Sequence, residues 1–190
     1  MGVSAPFPLV IPAPREALKG SSSRQDKPDA PRHVHHSATT LPRLSRNPHS
    51  SGRPILSRVR VFADFHCVTR WSRLGNRWKG VAARELLRLA GGAAPEARYV
   101  LAHGYDRGWA TNLPLEHFLA EDALVAILHD GAPISAGHGG PARLIVPRLY
   151  AWKSAKWLAG IELRKDDHPG FWESNGYHMR GDPWAEERFG

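Results

Sequence analysis

From about residue 58 the chain alternates apolar and polar positions in short runs, whereas the first 57 residues sustain neither a 3.6 nor a 2.0 period. Residues 59–65 alternate in part and predict a strand. Residues 71–78 read as a loop around Gly75 and Asn76, and residues 80–90 predict the clearest helix. On that helix Val81, Leu86 and Leu89 share a face with Ala82, and Gly91-Gly92 supplies a stop. Residues 97–103 predict a strand. A second helix follows Thr111-Asn112, with Asn112 as its cap, Pro114 in its first turn, and Leu115 and Leu119 inward. Further strands are predicted at 123–128, ending in a turn at Asp130-Gly131, and at 142–146 and 161–164. Residues 152–157 form a short helical turn or loop, and the tail from Asp166 reads as long loop. The pattern predicts an α+β domain, mostly sheet with a few short helices, and no internal repeat.

Composition divides the chain at the same place. Nine of the sixteen prolines lie in residues 1–57, with serine and histidine clusters, which predicts a basic, Pro/Ser-rich extension that is disordered or aberrant. Residues 58–190 are then the folded domain. The formal charge is +8, but residues 1–60 hold ten Lys/Arg against three Asp/Glu, and residues 61–190 hold sixteen against fifteen. The basicity belongs to the leader, so a nucleic-acid partner is not expected. His33, His35 and His36 would bind metal only adventitiously in a flexible tract. The apolar start is broken by Pro6, Pro8 and Pro12 and has no basic n-region or twin-arginine pair. No run reaches the roughly 18 apolar residues of a membrane helix. The expected compartment is therefore the cytoplasm.

Candidate chemistry starts at Cys67, the single cysteine, in Asp64-Phe65-His66-Cys67-Val68-Thr69-Arg70-Trp71. One thiol cannot form an internal disulfide. It is a small core filler, a reactive thiolate or one metal ligand, and the neighbouring Arg70 favours the thiolate. In the stretch 138–147, from His138 to Pro147, glycines permit close backbone approach and a strand would fix Arg143. Trp152-Lys153-Ser154-Ala155-Lys156-Trp157 places two lysines and a hydroxyl on a turn suited to an anion, or simply to solvent. Tyr177 and His178 in the tail could move protons, or only pack. No Walker loop, paired CxxC, HExxH or Ser-His-Asp signature is present.

Taken together, residues 65–72, 138–147, 150–158 and the closing Gly176-Tyr177-His178 with Asp182-Pro183-Trp184 resemble the molybdopterin-binding domain of the sulfite oxidase family. The likeness is to its small bacterial members, related to the catalytic subunit of the protein-methionine-sulfoxide reductase. It implies a mostly-sheet domain and a molybdenum–molybdopterin cofactor, with the Cys67 thiolate as metal ligand. It further implies cofactor contacts at His138, Arg143, Ser154, Ala155 and Lys156, with a less secure one at Gly104. Tyr177, five residues after Trp172, stands where sulfite oxidases have their active-site tyrosine. Arg70 is the second catalytic candidate.

The resemblance implies an oxidoreductase that moves an oxygen atom to or from a small sulfite-like or sulfoxide-like substrate. Cys67 anchors the metal, Arg143, Lys153 and Lys156 offset anionic charge, and Tyr177 relays a proton. No haem is expected without CxxCH, so a separate electron donor or acceptor is implied. Relatives carry an additional segment before the cysteine that residues 1–57 do not resemble. The first strands of the domain are therefore expected to be absent, or replaced through a frame error near the start, and Arg43 or Arg46 would be guesses for the substrate arginine. The rival reading is a cofactor-free remnant, or a binding module with a basic arm.

Overall fold

The computed structural model describes residues 8–10, as backbone, together with 56–106 and 108–190. The basic arm, His33, His35, His36, Arg43 and Arg46 lie outside the described residues. Two antiparallel sheets make up the fold. The first has the order β1 (Pro8–Val10), β9 (Leu158–Arg164), β4 (Tyr99–Gly104), β5 (Ala110–Pro114). The second runs β2 (Arg58–His66), β3 (Ser72–Ala82), β6 (Leu124–His129), β7 (Ala132–Pro133), with β8 (Arg143–Ile145) also on β6. Two short helices, α1 (Ala83–Leu89) and α2 (Leu115–Phe118), follow β3 and β5. The mostly-sheet α+β expectation holds. Among the described residues no helix is long and apolar enough to cross a membrane.

Strands β6 and β8 show why the two core clusters meet. Val125 and Leu144 enter a cluster with Leu87, Val100, Leu113, Phe118 and Ile161. Their neighbours Leu124 and Ile145 point the other way, onto Trp78, Ala126 and Ile134. A strand covered on both faces needs apolar residues at successive positions rather than alternation, and these two have them.

Several elements differ from expectation. Residues 71–78 are not a loop: all but Trp71 belong to β3, which pairs with β2 from Arg58↔Val81 to His66↔Ser72. Gly75 takes a left-handed φ of 65°, and the side chain of Asn76 donates to Ala63 O and Arg73 O. These turn-like residues form a bulge inside the hairpin, where the register shifts between Ala63 and Phe65. The helix begins at Ala83 rather than 80 because residues 80–82 complete β3. Gly80 lies so close to β6 that a Cβ there would strike Val125 O. Asn112 caps nothing; it is a buried residue of β5. Residues 8–10, expected to be irregular, pair with β9 at Pro8↔Glu162 to Val10↔Gly160.

Candidate active site

The β2–β3 hairpin presents Cys67. Its loop closes when Cys67 N donates to Trp71 O at 2.9 Å and Arg70 N donates to Cys67 O at 3.1 Å. Arg70 makes this turn with φ 69°, unusual for a residue with a Cβ, and its side chain is exposed. The thiol is partly exposed, and Sγ lies 3.1 Å from Thr69 Oγ1. Arg188, from far along the chain, reaches the same loop. Its Nη1 donates to Val68 O at 2.5 Å and to Cys67 O at 3.3 Å. The Arg188 guanidinium also lies 4.9 Å over the ring of Tyr150, which is buried. No hydrogen bond of ordinary geometry reaches the Tyr150 hydroxyl, although the Glu186 carboxylate is near enough to be influenced by it. Burial holds this phenol's pKa above its ordinary value, with Arg188 opposing.

Arg143 stands behind Phe65, two residues before the cysteine; its guanidinium is 5.3 Å from that ring and 5.8 Å from that of Trp78. Strand β8 buries it to 5% exposure. Nη1 donates to His138 O at 2.9 Å and Nη2 to Ser154 O at 3.1 Å, while Nε is buried without a partner. One cation thus ties the Gly139-Gly140 loop to the turn 154–156. Burial pushes its pKa down to about 10, which leaves it charged at neutral pH. Among the described residues it has no carboxylate partner within ion-pair distance.

The other sequence-picked residues fall around this point with different exposures. The Ser154 hydroxyl accepts from Val146 N at 3.0 Å, and Ala155 is fully buried with its carbonyl accepting from Leu144 N. What they can present to a ligand is backbone. Lys156 donates to Gly137 O at 3.1 Å, and burial, then the Arg143 charge, lower its pKa. The His138 ring is exposed and bonded to Ser135, so its carbonyl is the part that meets Arg143. A Cβ on Gly104 would approach Trp109 at 2.9 Å and Lys156 O at 3.4 Å, placing it beside the same turn.

Tyr177 stacks on Trp172 and meets Trp152 edge-on at 5.0 Å; Trp152 in turn stacks on Tyr150. An aromatic chain therefore runs from the tail tyrosine toward the cysteine loop. Behind it Lys153 is wholly buried against Glu173 at 2.7 Å, with further acceptors in Asn112 and Met179 O. Glu173 Oε1 also accepts from Thr111 and Trp152. Lys153, expected to offset cofactor or substrate charge, is instead committed to this pair. Its alternation with Lys156 gave no sign of that, because Glu173 lies twenty residues on. Tyr150 and Arg188 were missed altogether. A separate open cleft of about 370 Å³, lined by Leu101, His103, Ala110, His168 and Phe171, contains none of these residues.

Residues 53–172 match the family described as the oxidoreductase molybdopterin binding domain. The chain belongs to this family. It is 57% identical over 126 residues to the uncharacterized oxidoreductase YuiH of Bacillus subtilis, covering 66% of this chain and 63% of that one. Sulfite oxidase of Gallus gallus is 30% identical over 112 residues, covering 53% and 24%. The sulfane dehydrogenase SoxCD of Paracoccus pantotrophus shares the fold with a TM-score of 0.52 at 23% identity, over 59% of this chain and 33% of that one. The chain spans less than two thirds of the length of these relatives. The family and its sulfite oxidase and nitrate reductase members imply a molybdenum cofactor.

The residues present fit such a group on two counts. Among the described residues Arg143 is a buried cation without a counter-charge, a state that ordinarily costs several kcal/mol and that a bound anion would relieve. Cys67 is a free, partly exposed thiol at the hairpin loop, a soft donor of the kind a metal already held by sulfur accepts.

Proposed function

We propose that the chain is a molybdenum-cofactor-dependent oxidoreductase that moves an oxygen atom to or from a small sulfite-like or sulfoxide-like substrate. The observation that carries this reading is the buried Arg143, without a carboxylate partner among the described residues, set between the carbonyls of His138 and Ser154 beside the Cys67 hairpin. When bound, the cofactor would supply the two-electron redox chemistry that an oxygen-atom transfer needs.

The chain's own residues do the rest. Cys67 gives a soft thiolate to the metal, suited to a centre already held by sulfur. Arg143 and Lys156 hold positive charge against the cofactor's anionic groups, and the backbone of residues 138–140 and 154–156 fits around them. Tyr177 carries a proton to or from the reacting oxygen. Arg70, exposed at the hairpin apex, draws an anionic substrate to the mouth of the site. Residues 58–190, with strand β1 of residues 8–10 paired on β9, act as the cofactor-binding domain. Electrons pass through a separate donor or acceptor protein.

Expression in a host that makes molybdopterin tests the proposal. The expected result is about one molybdenum and one pterin per chain, by elemental analysis and pterin fluorescence. Arg143→Met should lose both, and Cys67→Ser should lose the thiolate-to-metal absorption. Wild-type protein carrying neither metal nor pterin would sink the enzyme reading. Assays with sulfite and an artificial acceptor, and with a sulfoxide and an artificial donor, then choose the direction.

A further inference from the structure

We propose that Arg188 is a positioning residue, and that residues 186–190 form a clasp holding the Cys67 loop and Tyr177 in one register. The clasp grips with two parts of the same residue. Through its backbone, Arg188 O accepts from His178 N at 3.2 Å, Tyr177 bridges to Phe189, and Gly190 N donates to Gly176 O. Phe189 then meets the Tyr177 ring edge-on at 5.5 Å. Through its side chain, Arg188 donates to the carbonyls of Val68 and Cys67.

The acceptor matters. Cys67 O takes a hydrogen bond from Arg188 on one side and from Arg70 N on the other. Two donors on one carbonyl fix the plane of the peptide after the cysteine, and so the direction in which Cα carries the thiol. A charge-assisted bond does this more firmly than a neutral one. Glu186 Oε2 holds Arg188 Nε at 2.7 Å, which sets the fork of the guanidinium, and Tyr150 supplies the face beneath it.

The backbone shows the same constraint. Arg70, at φ 69°, and Glu186, at φ 54°, are two of four non-glycine residues with positive φ among the described ones. One lies in the cysteine loop, the other in the clasp. Such conformations cost roughly 1 kcal/mol and persist where the surroundings over-determine them. Arg188 is the contact that joins them. Its side chain is only 16% exposed, unlike Arg73 or Arg77 on the hairpin surface. The catalytic meaning of the clasp depends on Cys67 being the metal ligand, as proposed above; the mechanical linkage does not.

The chain has one cysteine, so alkylation followed by intact mass reports that site alone. The full chain, made in a host that lacks molybdopterin synthesis, is compared as wild type and variants. Arg188→Ala should alkylate about tenfold faster, the scale of losing one charge-assisted hydrogen bond to the loop. Arg188→Lys should restore part of the protection. Glu186→Gln, at an exposed position that does not endanger folding, should give about a twofold rise on the same reasoning. Arg148→Ala, whose side chain pairs with Asp122 instead, should match wild type. Amide exchange at His178, whose N–H donates to Arg188 O, should quicken in step with alkylation. Wild-type alkylation rates in both Arg188→Ala and Glu186→Gln overturn the proposal, as does a loosened cysteine with unchanged exchange at His178. Should Arg188→Ala fail to fold, a wild-type rate in Glu186→Gln alone overturns it. The same variants are loaded in a competent host. If wild type takes up no molybdenum while the alkylation series behaves as stated, the enzymatic reading fails and the clasp stands.

Discussion

Arg143 and Lys153 lie ten residues apart in the chain, and both are buried cations that hold loops together through carbonyl oxygens. They differ in their counter-charge. Lys153 has Glu173 at 2.7 Å, and that carboxylate is fixed by Thr111 and Trp152 as well. Arg143 has carbonyl dipoles and two aromatic faces, and no carboxylate among the described residues. A balanced pair completes itself and serves the fold. An unbalanced cation is a standing invitation to an anion, and here it faces the ring of Phe65, two residues before the cysteine. Charge balance, more than burial or residue type, separates these two cations.

The largest effect should come from unbalancing the balanced site. Lys153→Met leaves Glu173 as an unpaired buried carboxylate and should cost about 3–5 kcal/mol in urea unfolding. Lys153→Met with Glu173→Gln should recover much of that. If the single variant unfolds like wild type, the two cations are not different in kind.

Arg143→Met is expected to be milder for stability, about 1 kcal/mol, because the lost carbonyl bonds are partly offset by removing an uncompensated charge. Its signature lies in anion response instead. Millimolar inorganic pyrophosphate should raise the Tm of cofactor-free wild type by about 2 °C through mass action, and leave Arg143→Met unmoved. Equal shifts in both would place the anion elsewhere.

The smallest effect is a titration. His129 stacks on Trp78 at 3.9 Å, the same ring that faces Arg143. Burial lowers its pKa first, with the charges of Arg73 and Arg143 adding to the effect and Asp130 opposing. A histidine depressed in the fold is protonated first in the unfolded chain. Its contribution is therefore complete above pH 6.5 and lost as pH falls through the lower folded value. Nuclear magnetic resonance titration should show the His129 pKa rising in Arg143→Met and unchanged in Arg148→Ala.

How much of this was legible depended on how local the cause was. The strands at β4, β6 and β9 and the stop at Gly91-Gly92 follow from neighbouring residues, so the pattern revealed them within a few positions. Residues 71–78 misled because glycine and asparagine mark turns, and a bulge inside a hairpin uses the same residues. Asn112 looked like a helix cap, but its polar atoms answer to Lys153 and Asp167, far away in the chain. Lys153 and Arg188 were misjudged or missed for the same reason. A cation's partner decides its role, and neither Glu173 nor the Cys67 carbonyl can be inferred from sequence separation. Cys67, Arg143 and the turn at 154–156 were picked on a family resemblance rather than on spacing, and the structure joins two of them through the Arg143–Ser154 O bond.

The glycines of the 138–140 loop set a boundary for anyone who wishes to redesign it. A side chain on Gly139, at φ 98°, would press on the Lys156 stem at 2.7 Å, and one on Gly140 would strike Ile134 O. This wall offers peptide groups and no side-chain position that can be varied. A library aimed at new ligands would waste its diversity there. The adjustable ground is the exposed rim at His138, Arg70 and Trp71, where a replaced side chain meets solvent rather than backbone.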